Sequence, residues 1–118
     1  MTLFDTPVLI LLERSLDAAA VRQQLIASNL ANLDTPGYHS RDIDFTAELR
    51  QALLDPAHRL NVHVLQVPGL LERPDGNNVS IDREMLLLGQ TQLQFRLAVE
   101  LWRTQMHELA TVVSGGSA

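Results

Sequence analysis

Four histidines, His39, His58, His63 and His107, and a few closely spaced carboxylates are the side chains of this sequence best able to bind a metal or move a proton. No two histidines stand four residues apart, so none form a helical metal pair, and HExxH is absent. His58 and His63 would need a carboxylate such as Asp55 or Glu72 to converge with them on an ion. Asp42 and Asp44 flank Ile43, so an extended backbone puts both carboxylates on one face. One such pair supplies neither the ligand set of a hard cation nor the two opposed carboxyls of a glycosidase. Asp75-Gly76-Asn77-Asn78 starts like a calcium loop but lacks the EF-hand spacing and its glutamate at the twelfth position. GxGxxG, P-loop and GxSxG motifs are missing. Solvated or locally bonded side chains account for these residues better than catalysis does.

Composition narrows the function further. The 118 residues fit one domain, and 46% hydrophobic content is enough for a core. With no cysteine there can be no disulfide, thiolate zinc site or cysteine nucleophile. The formal net charge is −5, and the nine cations, all arginine, are dispersed. Nucleic acid requires clustered positive charge, so it is not expected as a partner. The longest apolar run, Val8 to Leu12, is too short to span a bilayer and has no basic leader, so neither a transmembrane segment nor a cleaved secretory signal is expected.

The elements that must position everything else are two long helices. In one, Leu9, Leu12, Leu16, Ala19, Gln23, Ile26, Leu30 and Leu33 alternate steps of three and four; in the other, so do Ile81, Met85, Leu88, Gln92, Phe95, Val99, Trp102, Met106, Leu109 and Val113. This is a coiled-coil seam with one glutamine interruption per helix. Thr6 can cap the first helix, with Pro7 at its first position, and Asp34-Thr35-Pro36-Gly37 ends it in a type II turn. Ser80 can cap the second, with Asp82 and Glu84 in its first turn. Between them, Tyr38 to Asp44 reads as extended. Asp44 or Thr46 can cap a short helix over Ala47 to Leu54, and Asn61 to Val67 is valine-rich and strand-like. Pro68-Gly69 and the segment Pro74 to Asn78 are turns.

The expected architecture is mainly α. Residues 7–33 and 80–113 form an antiparallel two-helix coiled-coil hairpin; 34–79 is a small irregular middle with a short helix and a short strand; 1–6 and 114–118 are flexible ends. Placing Leu33 opposite Ile81 brings Gln23 level with Gln92. Two amides in one layer can satisfy each other and set register; the alternative is that both face solvent. Away from the seam, Ile10, Leu11, Val21 and Leu25 on the first helix and Leu86, Leu87, Leu93, Leu97 and Leu101 on the second are also apolar. Helices apolar on several sides are buried on several sides. The middle segment is too short to cover them, which points to other chains. Phe95 and Trp102 lie in the seam, where packing explains them better than a cofactor would.

Ala31-Asn32-Leu33-Asp34-Thr35-Pro36-Gly37-Tyr38 resembles the N-terminal signature of flagellar rod, hook and hook-associated axial proteins. Ser40-Arg41-Asp42-Ile43-Asp44-Phe45 and Asp75-Gly76-Asn77-Asn78-Val79-Ser80-Ile81-Asp82-Arg83-Glu84-Met85 narrow this to a resemblance to the FlgB family of proximal-rod proteins. His39 departs from a position that is often basic in that family, and Ser80 from one that is often aspartate. The resemblance implies a structural, non-enzymatic subunit without cofactor or small-molecule substrate. Its implied partners are copies of itself, homologous rod subunits, the MS ring with its rod adaptor, and the flagellar type III export apparatus. It also implies a place in the basal-body rod, within the periplasmic space, reached without signal cleavage. A small soluble helical adaptor or export chaperone binding one partner helix is the alternative.

Overall fold

Thr6 accepts a hydrogen bond from the Leu9 N–H at 3.2 Å, and Pro7 opens the first helix, α1, Pro7–Ala31, as the capping pattern predicts. In the computed structural model, which describes residues 6–55 and 62–115, four further elements follow: β1 Arg41–Ile43, α2 Phe45–Leu54, β2 Val64–Gln66 and α3 Ile81–Gly115. Of the two proposed caps for α2, Asp44 is the one used, accepting from the Ala47 N–H at 3.0 Å. Ser80 Oγ accepts from the Arg83 N–H at 3.3 Å at the head of α3. The strands β1 and β2 pair antiparallel, with Asp42 opposite Leu65. The strand expected over Asn61 to Val67 is shorter than that, and its first residue lies outside the described ones, as does His58.

Helices α1 and α3 pack antiparallel, and α2 lies against α1. Asn29 meets Glu84 across the pair, close to the register expected from the sequence. In that register Pro7 stands level with residue 106, so residues 107–115 of α3 run past the start of α1. The outline is 68 × 25 × 17 Å, with a Cα radius of gyration of 18.2 Å. A compact chain of this length would have about 13 Å. The small size of the middle segment leaves most of α3 covered on one side only.

The core runs along this contact. Leu9, Leu12, Ala18, Ala19 and Ile26 are buried on α1, Ala98 on α3, Ala52 on α2, with Ile43 and Val79 closing one end. The seam on α3 is displaced from the stripe expected. Its buried positions are Glu84, Thr91 and Ala98, one heptad apart, whereas Ile81, Met85, Gln92 and Phe95 are exposed. Leu88, Val99 and Trp102 are half-buried beside it, as are Leu16 and Leu30 on α1. The physical reason is side-chain size. Ala18 and Ala19 on α1 and Thr91 and Ala98 on α3 are the small residues buried along the contact, and the buried Glu84 carboxylate must turn toward Asn29 on α1. Among the described residues no helix is long and apolar enough to cross a membrane.

Candidate functional site

Two features carry the functional argument: a polar clamp where the long helices meet the middle segment, and an uncovered apolar band on α3.

The clamp is built from the residues of the family motif. Thr35-Pro36-Gly37-Tyr38 forms the expected turn; the Tyr38 N–H donates to Thr35 O at 3.2 Å, and Gly37 has φ +73°. Arg73 to Asn77 forms a second turn with Gly76 at φ +83°, and the Asp75 carboxylate accepts from the Asn77 N–H at 2.9 Å. The two turns lie glycine against glycine. A Cβ on Gly76 would sit 3.4 Å from Gly37 Cα, and the Gly37 N–H donates to Asp75 O at 2.9 Å.

Asn77 is fully buried between them. Its Nδ2 donates to Asn32 O and Thr35 O at 2.9 and 2.8 Å, and its Oδ1 accepts from the Val79 N–H at 2.8 Å. One side chain thus adds a second hydrogen bond to two carbonyls of the turn that follows α1. The Arg73 guanidinium adds bonds to Leu33 O and Val79 O. Asn78 Oδ1 accepts from the Ser40 N–H at 2.7 Å, locking the start of α3 to the strand entrance.

Asn29, buried on α1, acts as a strand neighbour. Its Oδ1 accepts from the Arg41 N–H at 3.1 Å and its Nδ2 donates to Arg41 O at 2.9 Å. The same Nδ2 reaches Glu84 Oε2 at 3.2 Å, and the Tyr38 hydroxyl donates to Asn29 Oδ1 at 3.2 Å. Charge continues outward from there. Glu84 Oε1 pairs with Arg83 at 3.0 Å; Arg83 lies 3.7 Å from Asp42; and Asp42 is held by Arg22 through two parallel bonds of 3.0 Å. Two arginines and two carboxylates balance. Arg22 also lies over the Phe45 ring, 5.9 Å from its centroid.

This arrangement answers the chemical alternatives. Asp42 is committed to arginines and Asp44 to capping α2, so the two do not act as a pair. His39 is paired with Glu72 at 3.0 Å and lies within 3.4 Å of Gln66 Oε1. Among the described residues, no three His, Asp or Glu side chains gather in a way that could hold a metal. A hollow of about 460 Å³ beside the clamp is lined by the same paired Arg22, Asp42 and Arg83 with Phe45, Gln90 and Gln94. Asp44, which caps α2, and Thr46 also line it.

The remaining motif residues are spread around the clamp. Val79 is buried, Thr35 Oγ1 donates to Asn32 Oδ1 at 3.0 Å, and Ala31, Pro36, Asp82 and Met85 are exposed. Gln23 and Gln92 line one shallow depression with Phe95 and Val99. Both are exposed and, among the described residues, no hydrogen bond joins their amides, so the interrupting layer opens to solvent. Asn29–Glu84 is a polar pair that does cross the helices, and the stripe reading missed it. The signal was available: the register expected from the sequence sets these two polar residues nearly level.

The apolar band lies on the other side of α3. Leu86, Leu93, Leu97 and Leu101 are exposed by 73, 66, 58 and 47%. Their expected counterparts on α1, Ile10, Leu11, Val21 and Leu25, are half-buried, in part because α2 packs against that helix.

A family model described as "Flagella basal body rod protein" matches residues 12–39, all but the first five residues of α1 together with the first turn of the clamp. The chain is 30% identical to the flagellar basal body rod protein FlgB of Salmonella typhimurium, over 89% of this chain and 91% of that protein. It is 30% identical to the FlgB of Escherichia coli K12, with the same shares covered, and to that of Bacillus subtilis 168, over 89% of this chain and 92% of that protein. A chain with paired terminal helices, a motif devoted to holding them together and relatives of this kind belongs to the FlgB family of flagellar basal body rod proteins, a structural and not an enzymatic family.

Proposed function

We propose that this protein is a building block of the proximal rod that joins copies of itself and homologous rod subunits, stands on the MS ring and its adaptor, and transmits torque from the ring to the hook. The observation that carries the reading is the uncovered row of leucines on α3, from Leu86 to Leu101, which a solitary protein would leave in water. Two antiparallel helices clamped at one end offer a stiff strut with length for contacts along it. The clamp suits load: its hydrogen bonds and ion pairs tie the middle segment to both helices at once. The chain travels through the flagellar type III export apparatus to the periplasmic space without signal cleavage. A slender helical chain suits such a route, and its apolar band would be covered only on arrival. Deleting the gene and examining purified basal bodies tests the proposal. Bodies that retain the rings but lack the rod are expected; rods at normal abundance would overturn it.

A further inference from the structure

Asp75 is the one aspartate of this sequence that is followed by glycine, and no asparagine is. Glycine carries no Cβ to shield its own nitrogen, so the Gly76 amide can reach the carboxyl carbon of the residue before it. The two can close a five-membered succinimide. The Gly76 nitrogen bonds to Asp75 Cγ, and the carboxyl hydroxyl leaves as water with the amide proton. A second water then reopens the ring at either carbonyl. Attack at the former main-chain carbonyl gives isoaspartate, in which the backbone runs through Cβ and Cγ and gains one carbon. One water is lost and one returned, so mass is unchanged and no oxidant or reductant is needed. Asp75 is exposed, so solvent reaches the ring.

In the fold this dipeptide is pinned at three points. The Gly76 N–H donates to Arg73 O at 2.8 Å, Asp75 O accepts from the Gly37 N–H at 2.9 Å, and the Asp75 carboxylate accepts from the Asn77 N–H at 2.9 Å. Ring closure removes the Gly76 proton and so forfeits the first bond, and it draws the carboxyl off the Asn77 N–H. We propose that Asp75–Gly76 is a site of isoaspartate formation in this chain, and that the clamp holds the reaction back once the chain is folded. The consequence is one-sided, because a chain that reacts before the clamp forms cannot close it properly. Isoaspartate moves the carbonyl that the Gly37 N–H uses, and its added carbon falls where the two turns already touch glycine to glycine. The chemistry is independent of what the chain assembles with.

The test is to age the full-length chain in heavy-oxygen water at neutral pH, once folded and once unfolded in guanidinium chloride, and to map the digests by mass spectrometry. Isoaspartate shows itself by uptake of the heavy oxygen, an altered retention time and resistance to cleavage before residue 75. The unfolded chain should gain it at Asp75 about tenfold faster than the folded one, the factor expected when two hydrogen bonds must be given up. Gly76→Ala should sharply slow the reaction in the unfolded chain, which needs no folded variant. Asn77→Ala, checked for retained helix by circular dichroism, should bring the folded rate toward the unfolded one. Chains carrying isoaspartate at 75, separated and returned to buffer, should melt lower than unmodified chains treated alike. Label gained at other aspartates in preference to Asp75 would overturn the assignment of the site. A folded rate equal to or above the unfolded one would overturn the protection, and unchanged melting of the modified chain would overturn the consequence for the clamp.

Discussion

Asn77 shows how a single side chain can hold two distant segments together. It spends both amide protons on carbonyls at the end of α1 and its oxygen on the chain leading into α3. Asn77→Ala would remove three hydrogen bonds at once, taking the second donor from Asn32 O and Thr35 O and the acceptor from the buried Val79 N–H, and a loss of about 3 kcal/mol is expected. Asn77→Asp should be at least as harmful, because it sets an acceptor against two acceptors. Urea unfolding followed by circular dichroism measures both; a change of a few tenths of a kcal/mol in either would contradict this role. Glu84 is the companion case. Glu84→Ala strips Arg83 and Asn29 of a shared acceptor in a fully buried place, for which about 3 kcal/mol is expected. Glu84→Gln retains the acceptor for Asn29 and should cost distinctly less. Equal losses would show that the charge, and not the hydrogen bond, holds α3 in place.

At the level of elements, the same helix is strongly held at one end and loosely at the other. Through residues 84–98, α3 is packed against α1 and tied to the clamp; residues 107–115 extend past it. Amide exchange in the free chain should therefore be slow in the first stretch and fast in the last, and the last should gain protection on assembly. Uniformly slow exchange in a verified monomer would remove the coupling between order and assembly. Leu97→Asp and Leu101→Asp test the outward face. Both side chains are exposed, so monomer stability should change by less than about 1 kcal/mol while association is lost. Equal loss of folding and association would mean that these leucines belong to the subunit's own core.

The elements differ in how plainly they could be read in advance. Thr6-Pro7, Asp44 and Ser80 mark helix starts because each puts an oxygen where the first free N–H groups point. Pro36-Gly37 marks its turn because only glycine enters positive φ freely. The rotation of α3 about its own axis was not legible in the apolar stripe. A helix with leucines on several sides has no unique hydrophobic face, and the choice fell to small residues, Thr91 and Ala98, and to the Asn29–Glu84 bond. The clamp was visible as a motif, but the partners Arg22, Asn29 and Arg83 that complete it stand outside the periodic signals. The β1–β2 pairing joins strands of three residues each, with no alternation long enough to announce them.

For the whole molecule, the balance between charge and apolar surface decides how copies meet. The chain carries a net charge of −5, so identical copies repel weakly at long range. The surface proposed to join them is the leucine row of α3, while the strong ion pairs, Arg22–Asp42 and Arg83–Glu84, are already satisfied within each subunit. Salt therefore has little intersubunit attraction to screen and a net repulsion to relieve. Raising sodium chloride from 0.05 to 0.5 M should strengthen self-association, with sulfate more effective still because it favours apolar burial. Sedimentation velocity on the full chain can follow the weight-average size across that range. Association that weakened steadily with salt would mean that copies are held by charges between them, and the leucine band of α3 would then have to be assigned to some other partner.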